Sequence, residues 1–539
     1  MTEWNFADVF EAIARTIPDL PALATTGDIR SWATFNTNAS RIANWLIDVG
    51  VNRQNGFAQY LYNCPEFTES LFAAFKASVC PVNTNYRYVE DELIYLWDNA
   101  DVNAVIFHGC FVPKIESIRN KLPKIKGWLF VDDGTQDCPI WATNYSKLGN
   151  LYSPDFQPKF ERSPDDLYLL YTGGTTGMPK GVMWRQDDLF SLLNASSFIK
   201  WPGEGSTDVV NEVIKGRGIV HLSGSPLMHG TGAFTAFAAL LGGGTVVTLT
   251  KRSFDPTELL DLIDEFEVQT LSIVGDAFAK PILRTLDEHT GRWSLNSLFA
   301  VLSSGVMWSA NVKEGLLRHK STLLLADIFS SSEAIGMGAS VTTSNSITDT
   351  AKFVLGPEAK VIDENNNEIP RGSNQAGRLA LRGRTPIGYY KDIDKTNKTF
   401  PLINGERYSV PGDYATVDED GTIHLLGRGS VCINTGGEKV FPEEVEELIK
   451  ESAGVLDAVV VGLKDDKFGE TVNALVQCSP GVEINPDSIR EDLKSRLAAY
   501  KIPKHLIFVD SIGRSAAGKV DYAVCKQRLA DAVKSLSVS

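Results

Sequence analysis

Hydrophobic and polar positions along the chain alternate between two periods. Ile42, Ala43, Leu46 and Ile47 fall on one helical face, and Leu71, Phe72 and Phe75 mark another. Between them, residues 57–62 form a short aromatic-rich run, which predicts a strand. Strands separated by helices imply parallel pairing and an α/β architecture. The most apolar long window, 234–248, is broken at Gly242, Gly243 and Gly244 and falls short of the roughly 20 residues of a membrane span. It predicts a buried helix running into a buried strand. Residues 167–171 predict a short buried strand and 187–193 a helix with an acidic first turn, with a loop between them. Asp420-Gly421, flanked by 414–417 and 422–426, predicts a hairpin. Beyond residue 428 the pattern changes. Helix 441–449 has Pro442 and acids near its start, strands follow at 459–463, 474–478 and 506–509, and helix 486–499 lies among them. That is a small α+β unit, so the chain divides into 1–428 and 429–539.

Length agrees with this division, because 539 residues exceed one ordinary core. A net charge of −15 argues against a general nucleic-acid binder, which needs a basic face. It also means that a polyanionic ligand must be met by local positive charge. The seven cysteines are scattered without a Cys-x-x-Cys pair, so reduced thiols in a cytosol are expected rather than a metal or disulfide framework. The first residues carry no basic segment followed by an apolar one, so a cytoplasmic protein without a signal peptide is expected.

The chemistry concentrates in residues 171–181, Tyr-Thr-Gly-Gly-Thr-Thr-Gly-Met-Pro-Lys-Gly. Glycines let backbone N–H groups approach an anion, threonine hydroxyls donate hydrogen bonds and a lysine supplies charge. It is not a Walker loop, since Lys180 follows Pro179 and precedes Gly181. The order of these eleven residues resembles the signature loop of the adenylate-forming superfamily, which contains acyl-CoA synthetases, nonribosomal-peptide adenylation domains and beetle luciferases. Further stretches follow in that superfamily's order, from Pro81 to Lys519. Three of them (179–185, 388–392 and 427–442) look most like bacterial ligases of long-chain and steroid side-chain acids.

The resemblance implies a large α/β N-terminal domain with parallel-rich sheets and a small β-barrel-like part, followed by a small mobile α+β domain. It implies Mg²⁺-ATP, coenzyme A and a small-molecule carboxylic acid as ligands, and a homodimer is common in the family. Thr172, Gly173, Gly174, Thr175, Thr176, Gly177 and Lys180 would hold the β- and γ-phosphates, with Thr172 also near the metal. Ser303-Ser304-Gly305-Val306-Met307 matches the adenine-facing turn, although Gly-Gly-Ala is commoner there. Asp327-Ile328-Phe329-Ser330-Ser331-Ser332-Glu333 matches the family's aromatic-Gly-x-Thr-Glu, with Ser330 where a glycine is usual. By that match Asp327, Phe329 and Ser331 line the nucleotide, Ser332 bonds the α-phosphate and Glu333 holds Mg²⁺. Read without the family, the same stretch is a Ser-rich turn before a helix that Glu333 caps. Asp413 would take both ribose hydroxyls, because one carboxylate accepts two hydrogen bonds, and Arg428 would lie near ribose and phosphates.

The acyl pocket is expected near Trp184, Asn194, His229, Phe234 and Asp276. Trp184 is either a pocket wall or core, and Asp276 either meets a polar substrate group or caps the helix beginning near Ala277. Lys519, after Arg514-Ser515-Ala516-Ala517-Gly518, matches the catalytic lysine, though without the usual proline and threonine. It would bridge the incoming carboxylate and the α-phosphate. One lysine cannot also admit coenzyme A, and the family resolves this by rotating the small domain about a hinge, here Ser430. That rotation would bring Gly436, Gly437, Glu438 and Lys439 to the site. The implied activity is ATP-dependent acyl-CoA ligation through an acyl-adenylate. Loading of a carrier protein is the alternative, and a luciferase-like oxidase or a catalytically dead nucleotide binder are more distant ones.

Overall fold

The computed structural model describes residues 3–172, 178–203, 206–214, 218–435, 438–465, 468–482, 484–515 and 518–538. The expected Gly173, Gly174, Thr175, Thr176, Gly177, Gly436 and Gly437 lie outside the described residues.

Two sheets build the large N-terminal part. In the first, Thr143–Asn144, Gly127–Val131, Val102–His108, Gly56–Tyr60, Cys80–Asn83 and Leu167–Thr172 pair in parallel. Val102–His108 is buried along its whole length, as a parallel strand covered on both faces must be. The sheet then turns antiparallel through Lys180–Arg185 and the two-residue strand Gly388–Tyr389. Here the structure departs from the expected strand–loop–helix. Residues 180–185 return as a strand, with Val182 and Trp184 on the buried face, before the helix Gln186–Ser196 begins. The described residues on either side of the glycine-rich segment are therefore antiparallel partners, with Thr172 opposite Lys180.

The second sheet starts parallel, through Pro21–Thr25, Thr245–Thr248, Val220–Ser223, Thr270–Ile273, Ala300–Ser303 and Leu324–Ser331. From Leu324–Ser331 onward it continues antiparallel through Ala334–Thr342, Lys352–Leu355, Thr422–Arg428, Asp413–Val417 and Gly377–Arg382. These curl around a small core of their own that includes Met337, Phe353, Leu379 and Ile423, which is the barrel-like part. The 234–248 window is the helix Gly230–Leu241 followed by the strand Thr245–Thr248, as its pattern predicts.

The C-terminal part has a third sheet. Val455–Asp465 pairs antiparallel with Gly469–Cys478, which pairs in parallel with His505–Val509. The helices Pro442–Lys450 and Pro486–Arg496 cover one face and Tyr522–Val538 the other. The helix at 486 stops short of 499 because Leu497 is extended, at φ −126°. A three-residue 3₁₀ turn, Gly429–Val431, follows Arg428. The contacts between the two parts include Tyr414 against Phe441, with ring centroids 5.2 Å apart, and Lys280 Nζ donating to the Leu456 carbonyl at 2.9 Å.

Candidate active site

The carboxyl ends of strands from both sheets approach one another, where doubly wound folds bind ligands, and Asn63 Nδ2 joins them by donating to the Ser225 carbonyl at 3.0 Å. Thr172 and Lys180 face each other across the base of the loop. Asn83 fixes the strand leading in. Its Nδ2 donates to the Tyr171 carbonyl at 2.9 Å and to the Met228 carbonyl at 2.6 Å, and its Oδ1 accepts from Tyr171 N–H at 2.5 Å. Asn83 belongs to a segment that reads from sequence as a bland polar loop, and only these partners mark its importance.

Ser331, Ser332 and Glu333 lie at the turn of a hairpin between Leu324–Ser331 and Ala334–Thr342, so no helix follows for Glu333 to cap. Ser330 needs no glycine, because its φ is not positive, and its Oγ accepts from Gly336 N–H at 2.9 Å to hold the turn. Three donors fix the Ser332-Glu333 dipeptide. Trp184 Nε1 donates to the Ser332 carbonyl at 3.0 Å, Ser409 Oγ to the Glu333 carbonyl at 2.7 Å, and Tyr389 Oη to Glu333 Oε1 at 2.7 Å. No described residue donates to the other carboxylate oxygen of Glu333.

Phe329, further down the strand, packs on Phe353 with centroids 5.5 Å apart and stays half-buried. Gly305 turns at φ +97°, with Val306 beside it. Asp413 and Arg428 sit opposite each other in register, with Arg428 Nε 3.3 Å from Asp413 Oδ1. Asp413 Oδ2 and Ser331 Oγ are buried with no hydrogen-bond partner among the described residues. An unpaired buried acceptor costs roughly 1–3 kcal/mol, and a diol and a phosphate or base edge are donors and acceptors of the kind these two atoms lack. Burial raises the Asp413 carboxyl above its ordinary range, with Arg428 opposing.

Lys519 reaches this site from the small domain. Its loop closes through Ser515 N–H to the Lys519 carbonyl at 2.8 Å and Lys519 N–H to Ser515 Oγ at 3.0 Å. Arg514 braces it, with Nε and Nη2 on Asp457 at 2.6 and 2.8 Å and Nη1 on the Gly518 carbonyl at 3.1 Å. Gly518, at φ +70°, lies against the large domain, where a Cβ would stand 2.8 Å from Ala277 Cβ and 3.3 Å from Val306 Cγ2. The Lys519 side chain keeps accessible surface, as does Arg428 at 41%, so both line an open cleft between the small and the large domain. Enclosure lowers the Lys519 ammonium below the usual lysine range, the nearby Arg428 adds to this, and Glu333 opposes it. Lys519 and Lys180 have no ion-pair partner among the described residues, in a chain of net charge −15.

His229 occupies the N-cap position of the helix Gly230–Leu241 without a side-chain capping hydrogen bond and faces Lys519 and Arg87. Burial, with help from those two cations, lowers its pKa to about 3, so the ring is neutral at physiological pH. A ring this weakly basic suits a border of the site better than general acid–base catalysis. Phe234, one turn into the helix, is half-buried against Tyr168.

Of the two readings of Trp184, core is the one the structure bears out, and three other expected contacts turn out otherwise. Trp184 is fully buried core that positions Ser332 through its indole N–H, so it does not wall a pocket. Asp276 neither meets an acyl group nor caps its own helix. Its Oδ1 accepts from Ser309 N–H at 2.9 Å, Oδ2 accepts from Ser309 Oγ, and Lys280 lies 3.3 Å away, which together fix the start of the helix Ala310–His319. Asp327 turns into the protein toward buried Lys313, 3.6 Å away, and burial raises its pKa to about 7. Asn194 holds the loop at Trp201 through hydrogen bonds of 2.9 and 2.8 Å. In the small domain, Glu438 and Lys439 lie on the strand Glu438–Val440, and Ser430 on the 3₁₀ turn after Arg428.

Comparison with known proteins fits this geometry. Residues 10–390 match the AMP-binding enzyme family, and residues 444–519 match the AMP-binding enzyme C-terminal domain. A 3-oxocholest-4-en-26-oate–CoA ligase of Rhodococcus rhodochrous is 37% identical over 97% of this chain and 96% of its own length. A medium/long-chain-fatty-acid–CoA/3-oxocholest-4-en-26-oate–CoA ligase of Mycolicibacterium smegmatis is 37% identical over 99% of both chains. In fold, the anthranilate CoA ligase AuaEII, crystallised with anthranoyl-AMP, superposes with a TM-score of 0.82 over 98% of each chain at 20% identity. With its sheets, its hairpin loop and its two matched segments in this order, the chain belongs to the AMP-binding enzyme family and is an adenylate-forming acid–thiol ligase.

Proposed function

We propose that this enzyme activates a fatty or steroid side-chain carboxylic acid with ATP and passes it to coenzyme A, with the roles of its residues as follows. The observation that carries the assignment of roles is the convergence of unpaired Lys519 on Glu333 and on the Asp413–Arg428 pair with its orphaned acceptor. Lys180 and the glycine-rich loop hold the distal phosphates, and Asp413 takes the ribose diol with the Oδ2 that no protein donor satisfies. Gly305, Val306 and Phe329 border the base, while Ser331 and Ser332 meet the α-phosphate region.

Magnesium, when bound, neutralises phosphate charge, and the unshared oxygen of Glu333 fits a hard ion that takes one or two carboxylates plus phosphate oxygens. Lys519 draws the carboxylate and the α-phosphate together as negative charge gathers between them. After pyrophosphate leaves, the thiolate of coenzyme A attacks the acyl carbonyl of the mixed anhydride and AMP departs. Because Lys519 occupies the cleft from the small domain, thiol entry calls for that domain to turn about the segment at Ser430. Neutral His229 and half-buried Phe234 offer an apolar-leaning border for the acyl chain. The relatives that act on 3-oxocholest-4-en-26-oate and on medium or long acyl chains support that substrate class. Free cysteines throughout suit a cytoplasmic enzyme, and no described helix is long and apolar enough to cross a membrane. A homodimer is the expected assembly.

Pyrophosphate release with Mg²⁺-ATP across a panel of acids, each with and without coenzyme A, tests the reading. Release that requires fatty or steroid side-chain acids, with thioester forming only when coenzyme A is present, is the expected result. Release without transfer to coenzyme A would contradict the proposed thiol acceptor, and preference for small aryl acids would contradict the substrate class.

A further inference from the structure

Tyr389 lies in a segment that contributes to the family resemblance, yet the sequence assigns it no task. Its strand, Gly388–Tyr389, pairs with the returning arm of the phosphate-loop hairpin, Gly388 opposite Met183 and Tyr389 opposite Val182. From there the phenol crosses to the other sheet and donates to Glu333 Oε1 at 2.7 Å in a buried contact. The residue is held from behind. Its N–H donates to Thr396 Oγ1 at 2.9 Å, and its ring packs on Phe400 with centroids 5.8 Å apart. Gly388, at φ +152°, lies so close to Thr396 that a Cβ would stand 2.5 Å from the Thr396 methyl carbon, so only glycine lets the strand approach. Two residues along the hairpin arm from Val182, Trp184 bonds the carbonyl of Ser332. The arm that ends in Lys180 is thus tied to both halves of the Ser332-Glu333 dipeptide.

We infer that Tyr389 is a positioning residue that engages Glu333 Oε1, leaves the other oxygen to the divalent cation of Mg²⁺-ATP, and couples that carboxylate to the phosphate-loop hairpin. The inference rests on the proposed role of Glu333 as the metal carboxylate. A carboxylate that must meet a hard cation loses affinity when its orientation is free, and hydrogen bonds to ligating carboxylates typically account for 10- to 100-fold in metal affinity. The phenol suits the task because its O–H, held in a buried contact, offers Oε1 a donor in a fixed direction.

The test measures ATP binding by titration calorimetry across a range of Mg²⁺ concentrations and again in EDTA, for the full-length protein and its Tyr389→Phe, Glu333→Gln and double variants, with melting temperatures alongside. Tyr389→Phe is expected to raise the Mg²⁺ concentration for half-maximal effect about tenfold while metal-free ATP binding stays unchanged. The double variant is expected to match Glu333→Gln, since the phenol acts only through that carboxylate. If Glu333→Gln leaves the Mg²⁺ dependence intact, the metal role of Glu333 fails and the inference fails with it. If Glu333→Gln alters it and Tyr389→Phe does not, or weakens ATP equally in EDTA, positioning by Tyr389 is refuted while the metal role stands. Should Tyr389→Phe not fold, Thr396→Val loosens the same segment without touching the phenol. An increase of about threefold in the Mg²⁺ requirement is then expected, and no shift overturns the inference.

Discussion

Glu333 and Lys519 reach the same cleft by opposite means. The Ser332-Glu333 dipeptide is anchored from three strands, through Trp184, Tyr389 and Ser409, and Glu333 is 8% exposed. Lys519 stands on a short turn that, among the described residues, is braced from within its own domain by Arg514 on Asp457. Its Gly518 faces the large domain, where an added Cβ would crowd Ala277 and Val306. Hydrogen bonds need close alignment, so they lock a group, whereas small apolar contacts release easily. Under the proposed mechanism this contrast suits a two-step reaction, in which Glu333 stays in place and Lys519 leaves room for the second reagent.

Four substitutions probe this contrast. Lys519→Ala should lower pyrophosphate release by about 10²–10³-fold, the scale of removing one oriented charge-stabilising group. Thioester formation from a supplied acyl-adenylate should stay within a few fold, and an equal loss in both steps would break the contrast. Asp413→Asn belongs to the anchored half. It should weaken ATP by about 10- to 100-fold, the scale of a hydrogen bond to a charged group, and should also impair retention of the adenylate.

His221 tests the anchored half through stability. It is buried between Thr270 and Thr235, with ring-nitrogen contacts of 2.9 and 3.0 Å, and burial lowers its pKa to about 3. Because the folded pKa lies below the unfolded one, its contribution is complete above about pH 6.5 and is lost as pH falls toward 3. Between pH 6.5 and 5 that amounts to about 2 kcal/mol, and His221→Gln should flatten the fall of the urea midpoint over this window. Gly518→Ala should have the smallest effect. A side chain at φ +70° costs about 1–2 kcal/mol and pushes the turn from Ala277, so adenylation should slow about tenfold while the second step is spared. Stopped-flow comparison of the two half-reactions distinguishes these outcomes.

Much of the fold is legible in the chain because its signals are local. The 57–62 run, the 234–248 window and the Asp420-Gly421 turn each carry their periodicity or turn chemistry within a few residues. The hairpin return at 180–185 is less legible, since a six-residue half-buried strand beside a glycine loop reads equally well as loop. The candidate site divides in the same way. Lys180, Glu333, Asp413, Arg428 and Lys519 are marked by short motifs, while the true partners of Asp276, Asp327 and Trp184 are not. Ser309 is 33 residues from Asp276 and Ser332 is 148 from Trp184, and such pairs leave no local trace.

The sequence by itself determined the order of elements, the family chemistry of the motifs and the net charge that makes unpaired lysines meaningful. The tertiary structure alone decided which donors meet which acceptors. It joined Tyr389 to Glu333, Asn83 to Met228 and Gly518 to Val306. These contacts depend on strand register and on the packing of one domain against the other. Both are fixed by the sum of many distant apolar contacts, and no window of sequence contains that sum.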